Sequence, residues 1–174
     1  GVLDNPKVDA IFGLHLGPGA PVGAVGYRVG AMMAGADGFR IKVTGRQTHG
    51  SRPWDGVDPI VASAQIVTGL QTIVSRQLDI AKLPTVVTIG AINGGNRENI
   101  IPDSVEMLGT LRTFDNGVRA DAKKRIADTA TAIAAASGAK AEVHFPALAW
   151  PPTVNPPALS EQVVPVLQAA TGNK

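Results

Sequence analysis

The 174-residue sequence contains no cysteine, few aromatic residues and no long apolar run. Each absence excludes something. Without cysteine there is no disulfide framework and no thiolate zinc site, and the redox setting is left open. Aromatics make up only 4%, so any core must be aliphatic, built from Ala, Val, Ile and Leu. No stretch reaches the roughly 18 apolar residues that span a bilayer, so no membrane partner is expected. The net charge is +2 and no Lys/Arg run forms a patch, so nucleic acid is not an expected partner either. The chain opens GVLDNP without Met, which reads as a missing N-terminus. Targeting is then unread, and a cytoplasmic setting is only the default.

What is present suits a soluble globular domain: 44% hydrophobic residues against 17% charged. VDAIFGLHL (8–16) is a short apolar run before GPGAP and predicts a buried strand followed by a loop. Residues 17–38 hold seven glycines and little periodicity. FRIKVT (39–44) alternates apolar and polar, the pattern of a strand with one buried face. Asp58-Pro59 is an N-cap with Pro at the first helical position. A helix should follow to about Gln77, with Ile60, Ala64, Val67, Leu70, Val74 and Leu78 as its apolar stripe. TVVTIGAI (85–92) predicts a β-branched strand and NGGNREN (93–99) a loop.

SVEMLGTLRT (104–113) predicts a third strand of this region. Val105, Met107, Gly109 and Leu111 share one face; Glu106, Thr110 and Arg112 share the other. Asn116 is placed to cap a second helix with Val118, Ala122, Ile126 and Ile133 along its stripe, and Gly138 stands where a left-handed C-terminal residue belongs. KAEVHF (140–145) completes the set. The order is βαββαβ, an α+β ferredoxin-like arrangement: a four-stranded antiparallel sheet with two helices on one face and the other face open. The expected organisation is a stub over 1–38, a compact domain over 39–145, and a return segment over 146–174 that is first proline-rich and then weakly helical from Leu159.

Three histidines are available for chemistry. His49 lies in GRQTHGSRP (45–53), with no apolar residue within four positions on either side. A core histidine would have such neighbours, and polar loops carry function more often than packing. His15, in FGLHL, sits at the end of its expected strand, where α/β proteins place ligands. A zinc site needs three or four donors and no others lie nearby, so the simplest reading is a hydrogen-bonded core residue. His144 is most simply a surface strand residue. Asn99 ends a glycine-rich loop before Ile100-Ile101-Pro102; a turn residue is its plainest role. Arg112 lies on the polar side of its strand, where a solvated charge is ordinary. Together, His49, Asn99 and Arg112 sit on loops or on the open face of one small sheet, and a guanidinium with an amide can hold a carboxylate. No HExxH, paired carboxylates or Ser-His-Asp grouping is present. GLHLGPGAPVGAVG lacks the Lys-Ser/Thr of a phosphate-binding P-loop.

GRQTHGSRPWDGVDPIVASAQIVTGLQTIVSR, NIIPDSVEMLGTLRTFD and VDAIFGLHLGP together resemble the M20 metallopeptidase family, in family order and over nearly the whole chain. The nearest branch resembles the hippurate hydrolases and N-acyl-amino-acid amidohydrolases. The resemblance implies a two-zinc catalytic domain with an inserted ferredoxin-like lid that also forms the dimer. It implies that His15 is a zinc ligand, that His49 reaches the partner subunit's active site to polarise the scissile carbonyl, and that Asn99 and Arg112 bind the substrate carboxylate. The substrate would be a small N-acyl amino acid. The homodimer would form through strand 85–92 and helix 58–77. The other ligands and the Glu base are absent here, so two divalent metal ions, zinc expected, belong to the full-length enzyme, and this chain alone should bind none and be inactive. The competing reading is a non-catalytic dimerisation or small-ligand-binding module of the same fold. An RNA-binding sheet is disfavoured, because the central strands lack exposed aromatics for stacking.

Overall fold

A computed structural model describes residues 1–172; Asn173 and Lys174, the end of the expected return segment, lie outside the described residues. Two compact units are present: Arg28–Pro157, and Gly1–Tyr27 with the chain from Ala158 onward.

The larger unit is built on four antiparallel strands. These are β2 (Gly35–Thr44), β4 (Thr85–Gly94), β6 (Ser104–Thr113) and β7 (Lys140–His144), in the order β4-β6-β2-β7. With α1 (Pro59–Thr72) and α2 (Asn116–Ala136) between them, this is the ferredoxin-like βαββαβ order. The alternation in β2 and β6 sends Phe39, Ile41, Val43, Val105, Met107 and Leu111 to the helix side, where they pack with Ile66, Leu70, Ile73, Ala122 and Ile126. Gly109 lies on this face because a Cβ there would come within 2.2 Å of the Phe39 ring. The opposite face carries Arg40, Lys42, Glu106 and Arg112, in register across β2 and β6.

Two helix details differ from expectation. The face of α1 turned to the core is Ala62, Ser63, Ile66, Leu70 and, in the π-helical turn Ile73–Gln77 that extends it, Ile73. Ile60 and Val61 remain 43% and 53% exposed. Of the expected stripe, Leu70 is buried and Val67, Val74 and Leu78 pack against the core, while Ile60 and Ala64 turn outward; nearly every position of PIVASAQIVTGLQT is apolar or small, so periodicity blurs the edge of the buried face. The cap of α2 is Asp115, whose carboxylate accepts from the Val118 N–H at 2.9 Å, rather than Asn116. Both residue types cap well, and the first of the pair reaches the free N–H groups. Asp58 caps α1 as expected, accepting from Ile60 N at 2.8 Å and Val61 N at 3.2 Å. Gly138 has φ of 72°, the left-handed conformation anticipated after α2.

β2 begins at Gly35, inside the glycine-rich stretch, and β1 (Gly30–Met33) pairs with β8 (Thr153–Asn155) in a separate two-stranded sheet. The expected buried strand over 8–16 does not form: those residues carry no strand and are exposed. An apolar run becomes a buried strand only against neighbouring strands, and the described residues offer this one none. In the smaller unit α3 (Pro157–Thr171) is helical with Pro165 inside it and has no buried residue. No helix among the described residues is long and apolar enough to cross a membrane.

Candidate functional site

The segment expected as an open polar loop is tied down by backbone. Thr48 and His49 form β3 (Thr48–His49), which pairs with β5 (Ile100–Ile101) through Thr48↔Ile101 and His49↔Ile100. Gly50 N–H donates to the Asn99 carbonyl at 2.7 Å. Arg46 and Val57 exchange two backbone hydrogen bonds of 2.9 and 3.0 Å and close the loop at its neck. Two glycines make this approach possible. A Cβ on Gly45 would stand 2.2 Å from the Val57 oxygen, and one on Gly56 2.5 Å from the Arg46 oxygen. The loop is therefore set by backbone packing, and it presents His49 and Asn99 as exposed neighbours.

The imidazole of His49 is oriented as well. Its Nδ1 accepts the backbone N–H of Ser51 at 3.1 Å and lies 2.8 Å from the Ser51 hydroxyl. A backbone N–H can only donate, so Nδ1 presents a lone pair and the ring proton of the neutral form sits on Nε2. That Nε2–H is a donor available to an external oxygen.

Arg112 is elsewhere. It stands on the open face near the other end of β6, in register with Ala36 of β2 and Val86 of β4. Eight residues separate it from Ser104, where β6 begins beside the His49 loop, which at strand rise is roughly 27 Å. Its guanidinium donates to its own strand's Leu111 carbonyl at 3.2 Å and makes no ion pair among the described residues. Within one chain the structure brings His49 and Asn99 together and leaves Arg112 apart. His15 is exposed in the smaller unit, with Nδ1 2.7 Å from the Leu16 oxygen. His144 projects from edge strand β7, opposite Arg40.

One charged cluster escaped the sequence reading. Asp37, on the core side of β2 and only 2% exposed, receives Arg119 Nε at 2.6 Å and Nη2 at 2.7 Å, and Lys123 Nζ at 2.6 Å. Burial alone would push the Asp37 pKa up. The Arg119 hydrogen bonds, then that of Lys123, and the two positive charges outweigh it and hold the carboxylate below the ordinary aspartate value. The signal was available: Asp37 has the same parity as Phe39, Ile41 and Val43, so a charge stood in register with the core face.

A metal centre does not fit these residues by themselves. Among the described residues no group of three or more His, Cys, Asp or Glu side chains is placed to hold an ion, and a single histidine is one donor of the three or four that zinc takes.

Residues 33–138 match the peptidase dimerisation domain of the M20 family. Thermostable carboxypeptidase 2 of Saccharolobus solfataricus is 39% identical over 97% of this chain and 42% of its own length. N-acetyl-L-cysteine deacetylase of Bacillus subtilis is 41% identical over 83% of this chain and 34% of its own. Among solved structures, the Bacillus subtilis YXEP protein, described as a dinuclear metal binding peptidase from the M20 family, superposes with a TM-score of 0.73 at 33% identity, over 97% of this chain and 40% of that one. The chain thus spans between 34% and 42% of the length of these relatives. The ferredoxin-like sheet and the matching sequence agree: this chain belongs to the M20 family and carries its dimerisation domain.

Proposed function

We propose that the chain is the lid and dimerisation part of a metal-dependent amidohydrolase that cleaves the amide bond of small N-acyl amino acids, hippurate-like in form. Hydrolytic relatives, one of them a deacetylase of an N-acetyl amino acid, support this reading. His15 is the one donor this chain would lend to a dinuclear centre, zinc by resemblance, whose other donors it does not supply. When bound, such a centre supplies the Lewis acidity and the hydrolytic nucleophile.

The observation that carries the reading is the placement of three polar groups at two ends of one strand. Arg112 lies roughly 27 Å along β6 from the strand end beside the His49 loop, farther than a small substrate spans, so one chain's His49 and Arg112 do not serve the same molecule. Two copies can arrange it: His49 and Asn99 from one subunit, Arg112 from the other. His49 Nε2–H then donates to the oxygen that gains charge as the amide carbon becomes tetrahedral. Arg112 receives the substrate carboxylate in a charge-assisted contact, and Asn99 adds a neutral hydrogen bond.

The dimer would form through β4 and α1. β4 is an edge strand without a charged residue in TVVTIGAING, the kind of edge that pairs with another chain. Ile60 and Val61 leave apolar surface exposed on α1. Edge-to-edge pairing about a two-fold axis would make one continuous sheet.

Arg112→Ala in the full-length enzyme tests the substrate assignment. A charge-assisted contact worth about 1.5–3 kcal/mol predicts a loss in kcat/KM on the order of 10- to 150-fold. With a carboxamide in place of the carboxylate, the wild-type enzyme should be slow and the substitution should add little. Equal losses on acid and amide would instead make Arg112 structural.

A further inference from the structure

We propose that Ser51 is a positioning residue that holds the His49 imidazole with its Nε2–H facing outward as the donor. This rests on the reading of His49 as the group that meets the substrate oxygen. Within the loop two donors from one residue converge on Nδ1, the Ser51 backbone N–H at 3.1 Å and its hydroxyl at 2.8 Å. The Arg52 N–H donates back to the His49 carbonyl at 2.8 Å, and the Thr48 hydroxyl to the Arg52 carbonyl at 3.2 Å. The turn 48–52 is thereby closed around the ring's attachment point, and Ser51 has little freedom to move away from Nδ1.

The consequence is chemical. The backbone N–H already assigns the proton of the neutral ring to Nε2. The hydroxyl is a second donor that restrains rotation of the ring about its side-chain torsions, which in an exposed histidine are otherwise free to move. A donor that stabilises developing charge works best when its direction is fixed before the reaction, because nothing then has to reorganise as the charge appears. Ser51 does not reach the substrate in this scheme; it acts through His49 alone.

The test uses the full-length enzyme labelled with nitrogen-15 histidine, with His49→Gln to identify the His49 signals. The expected spectrum has an unprotonated, hydrogen-bonded Nδ1 and a protonated Nε2; a protonated Nδ1 in the neutral ring overturns the proposal. In kinetics on an N-acetyl amino acid, Ser51→Ala should lower kcat with KM little changed. Losing one neutral hydrogen bond predicts about a 2- to 13-fold effect, and Ser51→Thr should restore most of it. In a His49→Ala background Ser51→Ala should add nothing; an equal loss there would show that Ser51 acts independently and would overturn the proposal. A His49→Ala enzyme that turns over like wild type would instead retire the catalytic reading of His49, while the nitrogen spectrum still decides whether Ser51 sets the ring.

Discussion

At the Ser104 end of β6, geometry is set by backbone: paired strands β3 and β5, a closed neck at Arg46 and Val57, and glycines where no Cβ fits. At the Arg112 end it is set by charge, with Asp37 buried between Arg119 and Lys123 on the core side of the neighbouring strand. The contrast bears on what each end can tolerate. A loop held by backbone fails when a single carbon is added, and its backbone hydrogen bonds do not titrate. A charge-built end tolerates shape changes poorly only where they unpair an ion, and it weakens in acid.

The largest effect should come from Asp37→Ala, which leaves two partly buried cations facing each other. Removing one member of a buried ion cluster costs about 3–5 kcal/mol, to be read from the midpoint of denaturant unfolding. A loss below about 1 kcal/mol would mean that the cluster is solvated and that charge does not hold this end. The pH dependence follows from the lowered pKa of Asp37. The unfolded chain binds this proton more readily than the folded one, so stability rises with pH through the window. Its contribution is complete above the unfolded value near 3.9 and is lost as pH falls below that toward the folded value. Asp37→Asn should flatten that part of the stability curve.

Gly45→Ala comes next. Its new methyl meets the Val57 carbonyl and the Pro59 ring, neither of which can swing aside, and such overpacking costs typically about 1–3 kcal/mol. Turnover should fall with it, because the neck that presents His49 is displaced, while the Asp37 cluster and its acid profile stay as they were. Wild-type kcat in this variant would show that the loop is not held by its neck. The smallest of the series is Asp58→Ala, the loss of the α1 cap, worth about 1 kcal/mol in thermal or denaturant unfolding with no change in the pH profile.

Much of the sheet could be read from period-two alternation, because FRIKVT, TVVTIGAI and SVEMLGTLRT each bury one face and turn the other to solvent. Where apolar residues also flank the buried face, as Ile60, Val61 and Ala64 do in α1, the pattern identifies the helix and blurs the edge of that face. VDAIFGLHL misled for a related reason: hydropathy reports the wish to be buried, not the presence of a strand to be buried against. β1 and β8 are 4 and 3 residues long, too short for a period to mark them. For the site, the polar surroundings singled out His49. Its proximity to Asn99 could not be read, since 50 positions separate them and the link is a backbone hydrogen bond through Gly50. The separation of Arg112 from both could have been counted from the length of β6.

The shared site is tested most directly by mixing two impaired full-length variants, His49→Ala and Arg112→Ala, under conditions that exchange subunits. If each site takes His49 from one subunit and Arg112 from the other, every mixed dimer holds one intact site and one doubly defective site. Half of the dimers are mixed at equal proportions, so activity should recover to about one quarter of wild type. If both residues serve the same subunit, each mixed dimer has two singly defective sites, and a mixture no more active than its parents would contradict the shared site.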